Sequence, residues 1–356
     1  MSALAQPHER RPITLYQAEA MLSHVDPHDR ATWLAVGMAL HAEFGDAAFP
    51  AWDCWSAQAR NYSERGARST WRGFKPGAVG IGTLVKLAMD GGYRFEAGSS
   101  TPPDAADLAR RRAERDAQAQ AEAARRERER LDAECVALVQ WRDAQRTGRS
   151  DYALRKGLER PESCRFTPAG WLLVPAIRYD LPREQSLKGL QVIRPDGSKR
   201  FTTGMAKAGA ACRLGLAEAR APVLLCEGYA TGMTLRMATD RKVAVYVAFD
   251  AGNLPRVAEI VHAAHPDSPL VLCADDDWQT LDSGGRPLNP GRVQASLARD
   301  AVQERGGHAL LAVPVFRPDR APGSTDFNDL HQAEGLDAVR EQLALALEVA
   351  RGLKHG

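Results

Sequence analysis

Residues 222–228 read PVLLCEG, and residues 269–277 read PLVLCADDD. Each stretch is a short apolar run that ends in acidic residues, which is the pattern of a buried strand with carboxylates at its carboxyl end. A carboxylate taken out of water is costly unless a positive group binds it. Divalent metal ions that serve phosphoryl transfer are the usual partner, so the two stretches predict a metal site.

The region around these stretches alternates between strand and helix patterns. Strands are predicted at 222–226, 243–249, 270–274 and 309–315, and helices near 230–239, 254–264 and 292–305. This alternation predicts a parallel sheet with right-handed crossovers over residues 221–316, followed by a helical segment at 317–356. Ligands of such sheets gather at the carboxyl ends of the strands. If the first and third strands are neighbours, Glu227, Asp275 and Asp277 converge on one edge.

A third acidic stretch, Asp326-Phe-Asn-Asp329, follows the last predicted strand. We expect Asp326 to add a carboxylate to the metal site, whereas for Asp329 a ligand role and a helix-cap role stay open. Asp250 and Asp282 are interpreted as strand-end turns or helix caps, where aspartate is common. Hard oxygen ligands favour Mg²⁺ (or Mn²⁺) as the cofactor.

Residues 149–220 are predicted to form a small basic α+β subdomain. Residues 141–220 hold sixteen Lys and Arg against eight Asp and Glu, which gives +8 locally and, from a net +2, leaves −6 for the remainder. Strands near Trp171 and at 189–193 precede a Pro-Asp-Gly turn at 195–197. The cations that we expect to contact nucleic-acid or nucleotide phosphates are Arg155, Lys156, Lys199, Arg200 and Lys207. A solvated surface is the alternative interpretation of this charge.

Residues 1–95 are predicted to form an all-α domain, since 13–22, 31–44 and 81–89 show helical apolar spacing. Between these helices, aromatic and basic residues interleave. The aromatic residues are Trp52, Trp55, Tyr62, Trp71 and Phe74, and the basic ones are Arg60, Arg65, Arg68, Arg72 and Lys75. We interpret the tryptophans as core rather than as a base-stacking surface. The arginines are still candidates for a nucleic-acid face.

Residues 96–148 are predicted to join the two parts. A Pro/Ser/Gly linker at 96–104 precedes a stretch rich in Ala, Arg, Glu and Gln. That composition favours an exposed helical spacer with i,i+4 charge pairs, and its apolar residues begin only at Leu131, Val136 and Leu138. A weak coiled coil is the alternative.

The cysteines and the hydropathy of the chain argue against several classes of protein. The six cysteines form no CxxC pair, so the sequence predicts neither a zinc site nor a disulfide framework. The first residues carry no hydrophobic signal segment, and no run approaches membrane-spanning length. We therefore expect a cytoplasmic, bacterial protein with no membrane partner. The absence of a GxxxxGK[ST] loop excludes a fused P-loop helicase within this chain.

These features together resemble the toprim-domain primases of the DnaG-like type found on phages, plasmids and integrative elements. The acidic stretches match the toprim motifs, and residues 195–204 resemble the basic subdomain of such primases. The stretch that begins at Trp33 and the Ile81-Gly-Thr-Leu stretch resemble their helical primase-associated domain. The implied fold is multidomain α/β, in which a toprim core with a Rossmann-like parallel sheet follows the basic subdomain.

The resemblance also implies roles and an activity. Glu227 matches the proposed general acid/base of the family, and Asp275 and Asp277 match its metal-binding DxD. The implied function is a nucleotidyltransferase that makes short RNA primers from NTPs on single-stranded DNA during replication of a mobile element, with a separate helicase as a possible partner. A toprim nuclease and a non-catalytic nucleic-acid-binding accessory protein are the alternatives. The family's usual acidic residue shortly after Gly228 is missing here.

Overall fold

The computed structural model describes residues 13–60, 62–74, 79–95, 105–282 and 284–353. The chain forms two compact units, residues 1–117 and 118–356. Lys75 and the linker predicted at 96–104 lie outside the described residues. The predicted domain boundaries stay predictions.

Among the residues of the first unit that the structure describes, five helices precede the long charged one. They are α1 (Leu15–Leu22), α2 (Arg30–Phe44), α3 (Phe49–Ser56), α4 (Glu64–Gly73) and α5 (Ile81–Asp90), with a 3₁₀ turn at Gly45–Ala48. Trp52, Trp55 and Trp71 are buried, and the Trp52 and Trp71 rings lie 5.2 Å apart. The indole N–H of Trp55 donates to the Val25 carbonyl at 2.9 Å. The interpretation of the tryptophans as core is therefore confirmed.

The long helix α6 (Ala105–Asp143) confirms that the charged stretch is helical, but its carboxyl-terminal part is not an exposed spacer. Ala133 and Ala137 are buried, and Ala137 packs with Leu173 and Leu190 of the adjoining sheet. Lys188 also pairs with Glu134 at 2.6 Å. The three apolar residues expected to begin its stripe, Leu131, Val136 and Leu138, are exposed instead. The partly buried Trp141 and Ala144 also pack against this cluster.

The basic region forms a four-stranded antiparallel sheet in the order β1-β2-β3-β4. Its strands are β1 (Arg165–Phe166), β2 (Leu172–Ile177), β3 (Leu187–Ile193) and β4 (Lys199–Phe201), with the short helices α7 (Asp151–Arg155) and α8 (Arg183–Ser186). The predicted turn joins β3 to β4, where the Gly197 N–H donates to the Arg194 carbonyl at 2.9 Å. Gly197 has φ +90°, a conformation that favours glycine.

The second sheet has five strands in the order β5-β7-β6-β8-β9. They are β5 (Cys212–Leu214), β6 (Val223–Cys226), β7 (Val245–Val247), β8 (Leu270–Cys273) and β9 (Ala309–Ala312). All neighbours pair in parallel except β5, which pairs antiparallel with β7. The strand β5 was not predicted from the sequence, and it lies before the predicted boundary at residue 221.

Helices cover both faces of this sheet. They are α9 (Tyr229–Ala238), α10 (Leu254–Ala264), α11 (Pro290–Gln303), α12 (Phe327–Glu334) and α13 (Leu336–Gly352), with a 3₁₀ turn at Ala251–Asn253. Leu224 and Cys226 point into the core shared with α9, α12 and α13, whereas Val223 and Leu225 point into the core shared with α10 and α11. Because both faces are buried, the strands are continuous apolar runs, as predicted.

Candidate metal and nucleotide site

The two acidic stretches meet at the carboxyl edge of the five-stranded sheet. The strands β6 and β8 are direct parallel neighbours, with Cys226 opposite Cys273. Glu227 follows β6 immediately, and Asp275 follows β8 after Ala274. The strand β7 lies on the other side of β6, and Asp250 follows it shortly. The expected adjacency of the first and third predicted strands is therefore observed.

Asp275 is the carboxylate most in need of a positive partner. Its Oδ1 atom is buried and has no hydrogen-bond partner among the described residues. Burial raises the pKa of Asp275 well above its usual range, and the negative charges of Asp326, Glu227 and Asp277 raise it further. The folded protein thus holds an enclosed acid with one oxygen that accepts no hydrogen bond from the described residues.

Glu227 lies in the same electrostatic cluster. Burial raises its pKa to about 7, and the neighbouring charges of Asp277 and Asp250 act in the same direction. The backbone N–H of Ala251 and the cation of Lys199 act in the opposite direction. Glu227 is therefore balanced between its protonated and ionised forms at neutral pH, which is the property of a general acid or base.

Asp277 is held by the amino-terminal end of α11. One of its oxygens, Oδ2, accepts a hydrogen bond from the Gly291 N–H at 2.9 Å, and its own N–H donates to Asn289 Oδ1 at 3.0 Å. A Cβ at Gly291 would lie 2.4 Å from the Asp275 carbonyl oxygen, so only glycine permits this approach. The amino-terminal end of the helix therefore fixes the direction of the Asp277 carboxylate.

Asp326 and Asp329 form a capping box at the start of α12. Asp326 accepts hydrogen bonds from the Asp329 N–H at 2.8 Å and from the Thr231 hydroxyl at 2.9 Å. Asp329 accepts from the Thr325 N–H and pairs with Lys156 at 3.4 Å. The helix-cap role left open for Asp329 is observed. Asp326 is close enough to raise the pKa of Asp275, although both of its oxygens already accept hydrogen bonds.

The chemistry of this edge fits a divalent metal ion. Its donors are hard carboxylate oxygens, and Asp275 Oδ1 is buried without a partner. Within the described ranges, however, no group of three or more His, Cys, Asp or Glu side chains is set to hold a metal. Mg²⁺ in proteins usually takes one or two carboxylates and completes its shell with water and substrate phosphates.

The basic hairpin approaches this edge through Lys199. This residue lies in β4, and its cation is near enough to Glu227 to lower the pKa of that carboxyl. Lys199 and Arg200 are exposed, and neither makes an ion pair with any described residue. Lys199 is therefore free to meet phosphates beside the carboxylates, whereas Arg200, the next residue of β4, lies on the other face of the strand.

The other three predicted cations already have partners. Lys207 pairs with Asp250 at 2.5 Å and lies over the Phe201 ring, and Lys156 pairs with Asp329. Arg155 donates to the Pro195 carbonyl and so braces the turn that presents Lys199.

Asp250 caps the 3₁₀ turn, as interpreted from the sequence, and it also forms the ion pair with Lys207. Asp282 accepts backbone N–H groups in an exposed turn, again as interpreted.

Two family models match the helical unit and the part of the chain that carries the parallel strands β6 to β9. Residues 18–88 match the Primase C terminal 2 (PriCT-2) family, and residues 222–337 match the Toprim domain family. The chain therefore carries a Toprim domain that follows a PriCT-2 domain. A Toprim domain implies dependence on a divalent metal ion in general, which agrees with the donors at the acidic edge.

Curated relatives connect these domains to primases. The chain is 42% identical to the DNA primase TraC of Escherichia coli over 132 residues, and 39% identical over 132 residues to a second Escherichia coli protein of the same name. Each alignment covers 36% of this chain, and the chain spans only 12% and 8% of those two relatives. The resemblance to toprim primases of mobile elements is confirmed by these matches and the two domain families.

Solved primase structures are similar to part of the chain. The DnaG primase catalytic domain bound to ssDNA is 13% identical with a TM-score of 0.41, over 61% of this chain and 80% of that one. The primase fragment of the bacteriophage T7 primase-helicase protein is 15% identical with a TM-score of 0.36, over 54% of this chain and 69% of that one. The predicted fold class, a toprim core with helices before it, is confirmed by the Toprim match and the observed sheet.

Membrane insertion receives no support from the helices that the structure describes. None of them combines the length and the apolar composition needed to cross a bilayer.

Proposed function

We propose that this chain is a primase of a mobile element, which joins NTPs into short RNA primers on single-stranded DNA with Mg²⁺ or Mn²⁺ at the acidic edge. The observation that carries the proposal is the buried Oδ1 atom of Asp275, which lies in a Toprim domain beside Glu227 and has no hydrogen-bond partner among the described residues. The exposed cation of Lys199 lies near enough to Glu227 to lower its pKa. The similarity to TraC primases supports the choice of primer synthesis among toprim activities.

In this proposal Asp275 and Asp277 hold the metal, and Asp326 lies near enough to assist. When bound, the divalent ion would supply positive charge to the triphosphate and lower the pKa of the attacking 3′-hydroxyl. Asp277 is already oriented by the Gly291 N–H, and it keeps lone pairs available for a cation. The enclosed Asp275 gains most from that cation, because its buried Oδ1 atom has no hydrogen-bond partner among the described residues.

Glu227 is proposed to take and return the proton of the reacting hydroxyl, or to help position a metal. Its pKa of about 7 makes both protonation states accessible under physiological conditions. Metal binding beside it would favour the ionised form, so Glu227 would become a base when the site is loaded.

Lys199 and Arg200 are proposed to guide the template and the triphosphate toward the edge. Both are exposed on β4, and their attraction to phosphates should weaken as salt rises. Arg155 and Lys156 then act chiefly on the protein itself, because each is engaged with a neighbouring segment. A separate helicase is a possible partner through the PriCT-2 domain, whose exposed Arg65, Arg68 and Arg72 share one helix.

The test is nucleotide incorporation by the full chain. Single-stranded DNA of varied sequence, labelled NTPs, and Mg²⁺ or Mn²⁺ should yield short oligoribonucleotides, and Asp275→Asn should reduce the yield at least 10³-fold, an order-of-magnitude expectation for losing a metal ligand. Asp282→Asn is the matched control, since it makes the same charge change in an exposed turn.

Two outcomes would decide against primer synthesis. Metal-dependent loss of DNA or RNA without NTPs would select the toprim nuclease. Retention of biological activity in both Asp275→Asn and Glu227→Gln would select a non-catalytic accessory role, which would then depend on Lys199 and Arg200 or on the arginines of the helical unit.

A further inference from the structure

The middle aspartate of the acidic triplet has partners quite different from those of its neighbours. Asp276 is buried, and its Oδ2 accepts a hydrogen bond from Arg320 Nη1 at 2.6 Å. Its Oδ1 accepts from Asn289 Nδ2 at 2.7 Å, and Arg292 lies 3.6 Å away. Asp276 is therefore satisfied by positive and polar groups, whereas Asp275 is not.

Arg320 uses its planar guanidinium on two segments at once. Nη2 donates to the Asp276 carbonyl at 3.0 Å, and Nε donates to the Ser324 carbonyl at 2.8 Å. The guanidinium carbon lies over two aromatic rings, 4.3 Å from the Phe316 centroid and 5.2 Å from the Trp278 centroid. Its side chain is only 17% exposed. A lysine could supply the charge but not this fork of donors.

Through these contacts, three segments of the candidate site are fastened together. The Asp276 N–H donates to the Thr325 carbonyl at 2.8 Å, directly before Asp326. Asn289, at the start of α11, binds the Asp276 carboxylate and the Asp277 N–H. The loop after β8, the start of α11 and the segment that leads into α12 therefore share one buried ion pair.

We propose that Arg320 is a positioning residue of the candidate metal site. By binding Asp276, it holds Asp275 and Asp277 in place and fixes the loop against the segment that carries Asp326. The carboxylates of this edge repel one another, so the segments that carry them need an attachment that does not depend on the metal. The Arg320–Asp276 pair supplies it from outside the cluster. This inference rests on the proposed function only in assuming that the edge binds a divalent ion.

The experiment measures Mn²⁺ binding to the full chain by calorimetry or electron paramagnetic resonance, without nucleotides or DNA. We expect Arg320→Gln to weaken Mn²⁺ binding about 10- to 100-fold, the usual consequence of losing a group that orients a metal ligand. Arg320→Lys should recover only part of this loss. The matched control is Arg317→Gln, which changes an exposed arginine of the same loop that pairs with Glu334 at 3.4 Å. It should leave the dissociation constant within about twofold of wild type.

A second variant keeps the inference testable if Arg320→Gln fails to fold. Asn289 has φ +40° in the left-handed region, which glycine adopts readily. Asn289→Gly therefore removes the side-chain bonds to Asp276 and Asp277 without backbone strain, and it should also weaken Mn²⁺ binding. Thermal unfolding of each variant separates a displaced site from a lost fold.

The outcomes distinguish this inference from the proposed function. Unchanged Mn²⁺ affinity in both Arg320→Gln and Asn289→Gly, with binding abolished by Asp275→Asn, would overturn the positioning role and leave primer synthesis untouched. If both variants bind Mn²⁺ more weakly and the wild-type protein makes no primers, the positioning role is supported and primer synthesis is ruled out. If the wild-type protein binds Mn²⁺ no more tightly than Asp275→Asn does, the edge is not the metal site and the positioning role is overturned as well.

Discussion

The acidic edge of the five-stranded sheet and the basic hairpin of the four-stranded sheet differ in how far their charges are buried and compensated. At the edge, Asp275 has an enclosed oxygen without a partner, and burial and repulsion raise its pKa. On the hairpin, Lys199 and Arg200 are exposed to water, and Lys207 is neutralised by Asp250. Without a bound cation, the buried carboxylates of the edge lower the stability of the folded protein, whereas the exposed cations of the hairpin do not.

This difference separates the part of the site that selects a ligand from the part that attracts one. An enclosed, uncompensated carboxylate gains much from a cation, because desolvation has already been completed on folding. An exposed lysine gains little from any single phosphate and acts mainly through the long-range field. We therefore expect mutations at the edge to change metal binding strongly and mutations on the hairpin to change nucleic-acid binding moderately.

The largest expected effect concerns stabilisation by metal. Mn²⁺ at a concentration about 100 times its dissociation constant should stabilise the wild-type fold by about 2.7 kcal/mol. Asp275→Asn should abolish that gain, because the substitution removes the carboxylate that most lacks a partner. The free energy of unfolding, measured by denaturant titration with Mn²⁺ and with EDTA, checks this expectation.

The matched variant Asp282→Asn keeps an exposed turn and loses the same charge. It should retain the full gain from Mn²⁺. Equal metal stabilisation in Asp275→Asn and wild type would show that the acidic edge is not the metal site, and the contrast between edge and hairpin would lose its meaning.

A second prediction uses the pH dependence of Glu227. Its folded-state pKa of about 7 lies above the ordinary value of 4.5, so its contribution to stability is full below pH 4.5 and is lost as pH rises through 7. Glutamine imitates the protonated form. In metal-free protein, Glu227→Gln should match wild type near pH 4.5 and be more stable by roughly 3 kcal/mol at pH 8.5.

Urea unfolding across this pH range measures the difference between the two proteins, which isolates Glu227 from other groups that titrate alongside it. A stability difference that is the same at both pH values would mean that Glu227 is not shifted by its neighbours. Saturating Mn²⁺ should reverse the order at pH 8.5, because the cation then stabilises the ionised glutamate of the wild type.

The sequence was sufficient to predict the edge because its signals are local. An apolar run followed by Glu227 or by Asp275 marks a strand end, and parallel topology brings strand ends to one side. The turn at 195–197 was equally predictable from its Pro-Asp-Gly residues. The antiparallel strand β5 was not, since its three residues carry no turn signal and its partner β7 lies more than thirty positions away.

Long-range polar contacts could not be predicted from the sequence either. Asp276 was indistinguishable from Asp275 and Asp277 in the triplet, and only folding brings Arg320 to it from the loop after β9. Helix α6 was predicted, but its contact with the sheet was not, because the buried residues are Ala133 and Ala137 rather than larger apolar ones. An alanine carries little information about burial in a stretch where alanine is already frequent.

The smallest expected effect belongs to the hairpin. Replacing both Lys199 and Arg200 by alanine should weaken binding of single-stranded DNA at low salt and reduce the slope of log K against log salt by about 1.4, roughly 0.7 for each lost phosphate contact. Fluorescence anisotropy with a labelled oligonucleotide over a range of salt concentrations measures this slope. Metal affinity should change far less, because neither cation belongs to the carboxylate cluster.

Two cations at the opposite edge of the five-stranded sheet provide the control for this effect. Arg220 and Lys242 precede β6 and β7, are strongly exposed, and pair only loosely with Asp267 and Asp240. Their double alanine variant loses the same charge, so it should reproduce only the general loss of attraction and not the reduced slope. An equal reduction in both double variants would mean that the hairpin attracts nucleic acid through net charge alone. A reduction confined to Lys199 and Arg200 would show that these cations contact phosphates directly, and Lys199 would bring its phosphate close to Glu227.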